Sequence, residues 1–294
     1  MNKVLILGAS GLLGRYVCAE LAASGLQVFA QSRSPHSGCD QVFDPADAEV
    51  LRHRLFTLRP QTVVNTAALT NVDYCEQHLA EAYRVNTGMA ESLAAWVSEF
   101  QPQCHVIQIS TDQVYAGAGY QSEADIHLLN VYALTKYAAE ISLRGIQNHT
   151  VLRTNFFGRS RTAGRESFSD WIYHALVRST PIRLAVDIQF NPLSLPTLAR
   201  YIAAVVRRPV RGVFNVGSRS SLSKHGFGLA FAHALSLSPA CLASCTAAQL
   251  AFQVPRPLDM RMDVSRAAAV LGSFPDLESE IECAAFAYVK EEHP

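Results

Sequence analysis

The sequence predicts an α/β protein built on a doubly wound parallel sheet, and three observations support this prediction. Short apolar runs alternate with longer stretches of helical periodicity, which is typical of repeated βαβ units. The apolar runs are nearly continuous, as expected for strands that helices cover on both faces. The first run leads into a glycine-rich turn, Gly8-Ala9-Ser10-Gly11-Leu12-Leu13-Gly14, after which a helical pattern begins.

Six strands and three long helices are predicted in the first half of the chain. The strands cover residues 4–7, 27–31, 41–43, 62–65, 105–110 and 150–153. The helices cover residues 11–24, 79–100 and 131–144. After residue 153 the pattern weakens, with helices expected at 169–179, 195–206 and 225–235, a strand at 213–216 and a polar loop at 160–166. We therefore expect a smaller C-terminal lobe, mainly residues 159–294, with segments near 190–218 returning to the sheet of residues 1–158.

The composition is that of a soluble globular chain with a sizeable core. Of its 294 residues, 49% are hydrophobic and 17% are charged. The formal net charge is zero, which disfavours nucleic-acid and membrane-surface partners because both usually need a basic excess. The seven cysteines are scattered without a CxxC pair. We interpret them as reduced thiols of a cytoplasmic protein, and we expect no metal site.

The glycine-rich turn has the features of a dinucleotide-binding site. Gly8, Gly11 and Gly14 allow a tight turn and let a pyrophosphate approach the free N–H groups at the start of the helix. An ordinary strand–helix turn is the alternative interpretation. The position of the turn after an N-terminal apolar strand favours a Rossmann-type domain over residues 1–158.

The end of the second predicted strand favours NADPH over NADH. NAD sites usually place an acidic residue there to bind the ribose 2′-hydroxyl group. This chain has Gln31-Ser32-Arg33-Ser34, and an arginine with neighbouring hydroxyl groups suits a 2′-phosphate. A solvated loop arginine is the alternative for Arg33. Asp44 follows the third strand, where it either meets the adenine end of the cofactor or only stabilises the turn before Pro45.

A possible proton-transfer group lies between residues 110 and 136. Tyr132 and Lys136 are four residues apart on a predicted helix and therefore share one face. We expect the lysine ammonium to lower the high pKa of the tyrosine, and Thr111 to hydrogen-bond a substrate oxygen. Alone, this spacing equally suits an ordinary helix with a buried tyrosine and a solvated lysine. Together with the glycine-rich turn, it predicts a nicotinamide-dependent oxidoreductase.

These motifs resemble the extended short-chain dehydrogenase/reductase superfamily, and within it the dTDP-4-dehydrorhamnose reductase family of sugar-nucleotide reductases. The resemblance covers nearly the whole chain. Its most specific segments are Val63-Val64-Asn65-Thr66-Ala67-Ala68-Leu69-Thr70-Asn71-Val72-Asp73, Val85-Asn86, Ser110-Thr111-Asp112, Asn130-Val131-Tyr132 with Lys136, and Leu152-Arg153-Thr154.

The resemblance implies hydride transfer from NADPH to C4 of a nucleotide-linked 4-keto-6-deoxyhexose. It makes Tyr132 the proton donor, Lys136 the residue that tunes it and binds ribose, and Thr111 the residue that orients the carbonyl. Together, the residue patterns and the resemblance predict as cofactor contacts Gly8, Ser10, Gly11, Leu12, Leu13, Gly14, Arg33, Asp44, Ala67, Ala68, Leu69, Tyr132 and Lys136. The implied substrate contacts are Thr70, Thr111, Asp112, Gln113, Phe156 and Arg256.

Several residues depart from the pattern of that family. Gln113 replaces a tyrosine, Phe156 replaces a tryptophan, Leu128 stands where a proline is common, and Arg33 replaces an acidic residue. Related 4,6-dehydratases carry Asp-Glu after the threonine as acid and base. An amide such as Gln113 has no carboxylate form and cannot serve as that base, so dehydration is disfavoured.

Three alternatives to this reductase stay open. A 4-epimerase or another sugar reductase of the superfamily has the same functional residues, and some relatives of this fold are NADP-binding regulatory subunits without turnover.

Three loop arginines, Arg159, Arg161 and Arg165, either bind a nucleotide diphosphate or are solvated. The helices near 79–100 and 131–144 are candidates for pairing two subunits as a homodimer.

Overall fold

The computed structural model describes residues 2–289 of the chain. Its strands are β1 (Lys3–Leu7), β2 (Gln27–Ser32), β3 (Gln41–Val42), β4 (Thr62–Asn65), β5 (His105–Thr111), β6 (His149–Thr154), β7 (Phe156–Phe157), β8 (Ile182–Ala185), β9 (Gln189–Phe190), β10 (Leu193–Ser194), β11 (Gly212–Val216), β12 (Leu222–Ser223) and β13 (Leu242–Cys245). Its α-helices are α1 (Leu12–Ala23), α2 (Ala48–Leu58), α3 (Val72–Gln77), α4 (Leu79–Tyr83), α5 (Met89–Phe100), α6 (Val131–Ser142), α7 (Phe168–Arg178), α8 (Leu195–Arg207), α9 (Lys224–Ala234), α10 (Ser265–Leu271) and α11 (Leu277–Val289).

Seven strands form one parallel sheet in the order β11-β6-β5-β4-β1-β2-β3. The chain reverses its direction of strand addition between β1 and β4, which creates the crevice where doubly wound sheets bind ligands. The remaining strands pair in three short two-stranded sheets, β7 with β10, β8 with β13, and β9 with β12. The predicted doubly wound parallel sheet is therefore confirmed.

The central sheet has a separate core on each face, because successive side chains of a strand point in opposite directions. Val4 and Ile6 of β1 belong to the core that includes side chains of α1 and α8. Leu5 and Leu7 belong to the opposite core, which includes side chains of α2, α5 and α6. A third core lies under α7, α9 and α11, in the part of the chain where the sequence predicts a C-terminal lobe, with Phe227 and Phe231 among its buried residues.

Several elements were not expected from the sequence. Helix α2 buries only Leu51 and Leu55, so its hydrophobic periodicity is weak, and the Asp47 carboxylate caps its first N–H groups. The helix predicted at 79–100 is present, but Arg84–Gly88 forms a π-helical turn between α4 and α5. Within residues 2–289, no helix combines the length and apolar character required to span a lipid bilayer.

Candidate active site

The glycine-rich turn brings β1, β4 and α1 close enough to leave no space for side chains. Gly8 has a φ of +80°, and a Cβ atom there would lie 2.8 Å from the backbone nitrogen of Ala67. A Cβ atom on Gly14 would collide with the carbonyl group of Gly8. Helix α1 begins after Gly11 with no side-chain cap on its N–H groups. This turn therefore fits a bound pyrophosphate, and it contains the predicted contacts Gly8, Ser10, Gly11, Leu12, Leu13 and Gly14.

A loop of the C-terminal lobe lies against the same turn. Thr162 donates a hydrogen bond of 2.9 Å from its hydroxyl group to the carbonyl oxygen of Ser10. The guanidinium of Arg161 lies 4.1 Å from the ring centroid of Tyr16 on α1. Arg159 instead donates a hydrogen bond of 3.0 Å to the carbonyl oxygen of Ala287. One of these loop contacts thus reaches the predicted cofactor turn, and another reaches the helix that follows it.

The π-helical turn connects the loop after β4 to α6. The Asn86 side chain accepts a hydrogen bond of 2.8 Å from the Leu69 N–H, and its amide nitrogen lies 3.1 Å from the Leu69 carbonyl oxygen. The same amide nitrogen donates to the Thr135 hydroxyl group at 3.0 Å. Such turns frequently occur at functional sites. Asn86 was part of the family resemblance but was not predicted as a site residue.

One arginine lies in the loop after β2 and another contacts it. Arg33 is exposed, and nothing in the described chain pairs with its guanidinium. Arg15, one residue after Gly14, places its Nη2 atom 2.5 Å and 2.9 Å from the two ring nitrogens of His36. The Nε atom of Arg15 is buried without a hydrogen-bond partner. The nearby Asp40 carboxylate accepts a hydrogen bond of 2.7 Å from the Ala30 backbone N–H and does not pair with these arginines. The loop after β2 therefore suits an anionic group.

Asp44 and Thr70 lie at exposed positions next to the crevice. The Asp44 carboxylate accepts from the Ala46 N–H at 3.0 Å and lies 3.3 Å from the Arg84 guanidinium. Both interpretations of Asp44 therefore stay open. Thr70 follows the loop that contains the partly buried residues Ala67, Ala68 and Leu69.

Thr111 and Tyr132 meet at the end of β5. Thr111 is the last residue of that strand, and its hydroxyl oxygen accepts from the Gln113 N–H at 3.1 Å. Asn130 starts α6 by accepting a hydrogen bond of 2.9 Å from the Ala133 N–H, which places Tyr132 in the first turn. The Tyr132 phenol interacts with the Thr111 hydroxyl group. The structure thus brings together two of the three predicted catalytic side chains.

The structure corrects the expectation that Lys136 lowers the pKa of Tyr132. Burial raises the Tyr132 pKa, and the nearby Asp112 charge raises it further, against the opposing hydrogen bond with Thr111. Lys136 directs its Nζ atom to the carbonyl oxygen of Ile109, at 2.6 Å. Burial lowers the Lys136 pKa to about 8, while Glu140 acts in the opposite direction. Tyr132 therefore remains a neutral phenol, which is the form that donates a proton.

A buried ion pair lies directly behind Lys136. Glu140, one helical turn further along α6, binds Arg153 of β6 through two of the guanidinium nitrogens at distances of 2.6–3.1 Å. Glu140 also accepts from the Ser110 hydroxyl group at 2.5 Å, and Arg153 donates to the Tyr115 phenol at 2.7 Å. Both side chains are 1% exposed, so this network joins β5, β6 and α6 in a water-free environment.

Asp112 and Gln113 lie at the opening of the crevice, next to the C-terminal lobe. Asp112 accepts hydrogen bonds from the Asn155 amide at 2.6 Å and from the Thr111 hydroxyl group at 3.3 Å. Burial raises the Asp112 pKa to about 6, although these hydrogen bonds and the Lys224 charge oppose the shift. The Gln113 side-chain oxygen is buried with no hydrogen-bond partner. Asn155 and Lys224 were both missed, since neither belongs to a motif recognisable in the sequence.

The two remaining predicted substrate residues have different surroundings. Phe156 is partly buried and packs against the core under β1 and α1. Arg256 forms an ion pair of 2.7 Å with Asp73 and lies 4.8 Å from the Phe252 ring centroid. Its Nε atom is buried without a partner, so one donor is left for a ligand.

Several known proteins that resemble this chain are named for saccharide biosynthesis or for the reduction of keto sugars. Residues 1–285 match the family model described as the RmlD substrate binding domain. Spore coat polysaccharide biosynthesis protein SpsK of Bacillus subtilis is 28% identical over 262 residues, which span 87% of each chain. The dTDP-4-keto-6-deoxy-D-glucose reductase of Streptomyces niveus is 31% identical over 223 residues, which span 73% of this chain and 72% of that protein.

Solved structures show the same fold. The dTDP-4-dehydrorhamnose reductase of Bacillus anthracis, crystallised in complex with NADP, superposes with a TM-score of 0.86 at 20% identity. The superposition covers 98% of this chain and 100% of that chain. These comparisons confirm the resemblance to sugar-nucleotide reductases of the extended short-chain dehydrogenase/reductase superfamily, and the chain belongs to the RmlD substrate binding domain family.

Proposed function

We propose that this protein uses NADPH to reduce the 4-keto group of a nucleotide-linked 6-deoxyhexose. The observation that carries the proposal is the placement of Thr111 at the end of β5 and of Tyr132 in the first turn of α6, where the two side chains interact. A neutral phenol beside a hydroxyl group is suited to protonating a carbonyl oxygen that gains negative charge. Family membership supports a nicotinamide-dependent oxidoreductase, and the names of the relatives support a keto sugar as the substrate class.

The residues of this chain divide the work of the reduction. When bound, the nicotinamide supplies a hydride to the carbonyl carbon. The Thr111 hydroxyl group holds the carbonyl oxygen, and the Tyr132 phenol gives that oxygen its proton as the C=O electron pair moves onto it. Tyr132 is left as a phenolate, which its interaction with the Thr111 hydroxyl group favours, until solvent returns the proton.

NADPH is favoured over NADH by the cations after β2. The exposed Arg33 guanidinium pairs with nothing in the described chain and is available to a 2′-phosphate. Arg15, whose guanidinium contacts His36, has a buried Nε atom without a hydrogen-bond partner. Neither Gln31 nor Ser32 at the end of β2 carries the acidic group that would bind a ribose 2′-hydroxyl group. The B. anthracis relative, whose crystal structure contains NADP, is consistent with this preference.

Gln113 supports reduction over dehydration. Its backbone N–H binds the Thr111 hydroxyl oxygen, and its side chain is an amide where a dehydratase would need a carboxylate. Asp112 has a carboxyl group, but the partner base of a dehydratase is missing from position 113.

A matched pair of variants tests the proposed reaction. The purified protein is incubated with NADPH and dTDP-4-keto-6-deoxy-D-glucose, and NADPH consumption and the product sugar are measured. We expect Tyr132→Phe to lower kcat by on the order of 10²- to 10⁴-fold, because a general acid contributes this much. Tyr137→Phe, on the same helix, is the control and should keep kcat within about twofold. Turnover by Tyr132→Phe at the wild-type rate, or NADPH binding without consumption by the wild type, would contradict the proposal.

We also propose that the protein forms a homodimer through α4 and α6. Four apolar side chains on these helices are exposed, namely Leu79, Tyr83, Leu134 and Ile141. Large apolar groups clustered on a surface often mark a protein interface. Light scattering should give twice the chain mass for the wild type, and Leu134→Glu should shift the protein toward the monomer.

A further inference from the structure

Lys224 interacts with Asp112, and its ammonium group has no hydrogen-bond acceptor among the described residues. Lys224 is the first residue of α9, and its Nζ atom lies 3.3 Å from the Phe190 ring centroid and 4.5 Å from the Phe168 ring centroid. Within residues 2–289, Nζ makes no hydrogen bond and no ion pair shorter than 4.0 Å. Lys224 is only partly buried, so its N–H groups can reach a ligand in the crevice.

The Asp112 carboxylate is the charge that Lys224 interacts with. Asp112 raises the Lys224 pKa against the larger effect of burial, which lowers that pKa to about 8. The two charged groups nevertheless form no direct ion pair in the described chain. A ligand hydroxyl group in the gap between the two would accept from the ammonium at about 2.9 Å and donate to the carboxylate at about 2.7 Å.

The gap lies next to the reacting position. Asp112 accepts a hydrogen bond from Thr111, whose hydroxyl group contacts Tyr132. A ligand oxygen between Asp112 and Lys224 is therefore one side chain away from the oxygen that Thr111 holds. In a keto sugar, the hydroxyl group next to the carbonyl oxygen is the one on the neighbouring ring carbon.

We propose that Lys224 and Asp112 together bind the sugar hydroxyl group adjacent to the reacting carbonyl, and thereby select sugars that carry it. Lys224 donates a hydrogen bond to the hydroxyl oxygen, and the hydroxyl group donates its hydrogen to Asp112. The unsatisfied side-chain oxygen of Gln113 is an acceptor for a second sugar hydroxyl group. This inference rests on the proposed reduction of a keto sugar and names the feature of the sugar that the site requires.

A hydroxyl group fits this gap better than a carboxylate does. A sugar carboxylate would attract Lys224 but would place a second negative charge against Asp112. A hydroxyl group accepts from the ammonium and donates to the carboxylate, so both charged groups are satisfied without a new charge. Phe168 and Phe190 exclude water from one side of Lys224, which strengthens its hydrogen bond.

Two substrates that differ in one hydroxyl group test the inference. One is dTDP-4-keto-6-deoxy-D-glucose, and the other is its 3-deoxy analogue. We expect the wild type to prefer the first by on the order of 10- to 100-fold in kcat/KM, the usual value of a hydrogen bond to a charged group. Lys224→Met should reduce this preference to about twofold or less and leave NADPH affinity unchanged. An unchanged preference in Lys224→Met overturns the inference.

Two further variants keep the experiment decisive. His225→Gln changes the neighbouring side chain on α9 and should keep the wild-type preference. Asp112→Asn replaces the other partner and should also reduce the preference, so it provides the result if Lys224→Met does not fold. Loss of the preference in His225→Gln to the same extent would show a structural effect of α9 and overturn the role of Lys224.

Equilibrium binding separates this inference from the proposed reaction. Calorimetry measures dTDP-glucose and dTDP-3-deoxyglucose binding to the NADP⁺-loaded wild type and Lys224→Met. If the wild type oxidises no NADPH with either keto sugar, yet discriminates in binding and Lys224→Met does not, the reductase proposal fails and the Lys224 contact stands. If neither sugar binds, or the discrimination survives in Lys224→Met, the Lys224 contact is wrong.

Discussion

Two pairs of opposite charges include residues at the carboxyl ends of β5 and β6. They differ in how many of their hydrogen-bonding groups are paired within the protein. Glu140 and Arg153 make direct hydrogen bonds to each other, and the surrounding Ser110 and Tyr115 hydroxyl groups complete the network. Asp112 and Lys224 interact only at a distance, and the lysine has aromatic rings in place of acceptors. The closed pair, Glu140 and Arg153, stabilises the scaffold next to Lys136. The open pair, Asp112 and Lys224, has hydrogen-bonding capacity left for a ligand.

The largest effect is expected from breaking the closed pair. Glu140→Ala leaves the Arg153 guanidinium buried without its counter-charge, which should lower the free energy of unfolding by about 3–5 kcal/mol. Urea unfolding measures this change. Glu99→Ala removes an exposed carboxylate from α5 and should alter stability by less than about 0.5 kcal/mol. Equal effects of the two variants would show that the closed pair does not hold the scaffold.

A pH titration of stability tests the open pair. The Asp112 pKa rises from 3.8 to about 6 on folding, so the folded state favours the protonated carboxyl group. The associated stability is complete below about pH 4 and is lost as the pH rises to about 6, with a total of about 3 kcal/mol. Asp112→Asn has no such dependence. Its free energy of unfolding should therefore rise relative to the wild type between pH 4 and 6 and then level off; a constant difference would contradict the assignment.

The comparison also shows what the sequence could predict. Strand β4 was predicted with its observed bounds because all four of its residues are buried between polar connections. The glycine-rich turn and the pair Tyr132 and Lys136 were recognised because their residues lie close together in the sequence. Their spacing alone therefore predicts how they are arranged in space. Arg153 was placed in a strand, but its buried partner Glu140 was not recognised.

The open pair had no comparable signal in the sequence. Lys224 meets Phe168, Phe190 and Asp112 only through tertiary packing, and a lysine at the start of a helix is usually solvated. The pKa of Tyr132 was likewise predicted in the wrong direction, since burial is a property of the folded molecule and outweighs the local motif. Short-range patterns thus identified the reaction class, whereas long-range contacts form the proposed sugar subsite.

A smaller effect is expected at Asn86. Like the closed pair, its side chain forms hydrogen bonds with groups of the protein through both its oxygen and its nitrogen. Asn86→Ala removes the side-chain hydrogen bonds to the Leu69 backbone and to Thr135. We expect the free energy of unfolding to fall by about 2 kcal/mol and the Kd for NADPH to increase, because Leu69 lies on the predicted cofactor loop. Urea unfolding and fluorescence titration measure the two changes. A stability loss with unchanged NADPH affinity would limit Asn86 to a structural role.

The smallest effect is expected at Arg33, an exposed cation that resembles the open pair in lacking a partner. Arg33→Ala should lower the ratio of kcat/KM for NADPH to that for NADH by about tenfold, since one charge-assisted hydrogen bond to the 2′-phosphate is lost. Arg178→Ala, an exposed arginine of α7, is the matched control and should leave the ratio unchanged. If Arg33→Ala also leaves it unchanged, the cofactor preference has another origin.

Transfer of deuterium tests the central claim most directly. The protein is incubated with dTDP-4-keto-6-deoxy-D-glucose and NADPH deuterated at both C4 positions of the nicotinamide, and the product sugar is examined by NMR. We predict one deuterium at C4 of the sugar for the wild type, formed far more slowly by Tyr132→Phe. A product without deuterium, or a sugar epimerised while the nicotinamide keeps its label, would contradict the account.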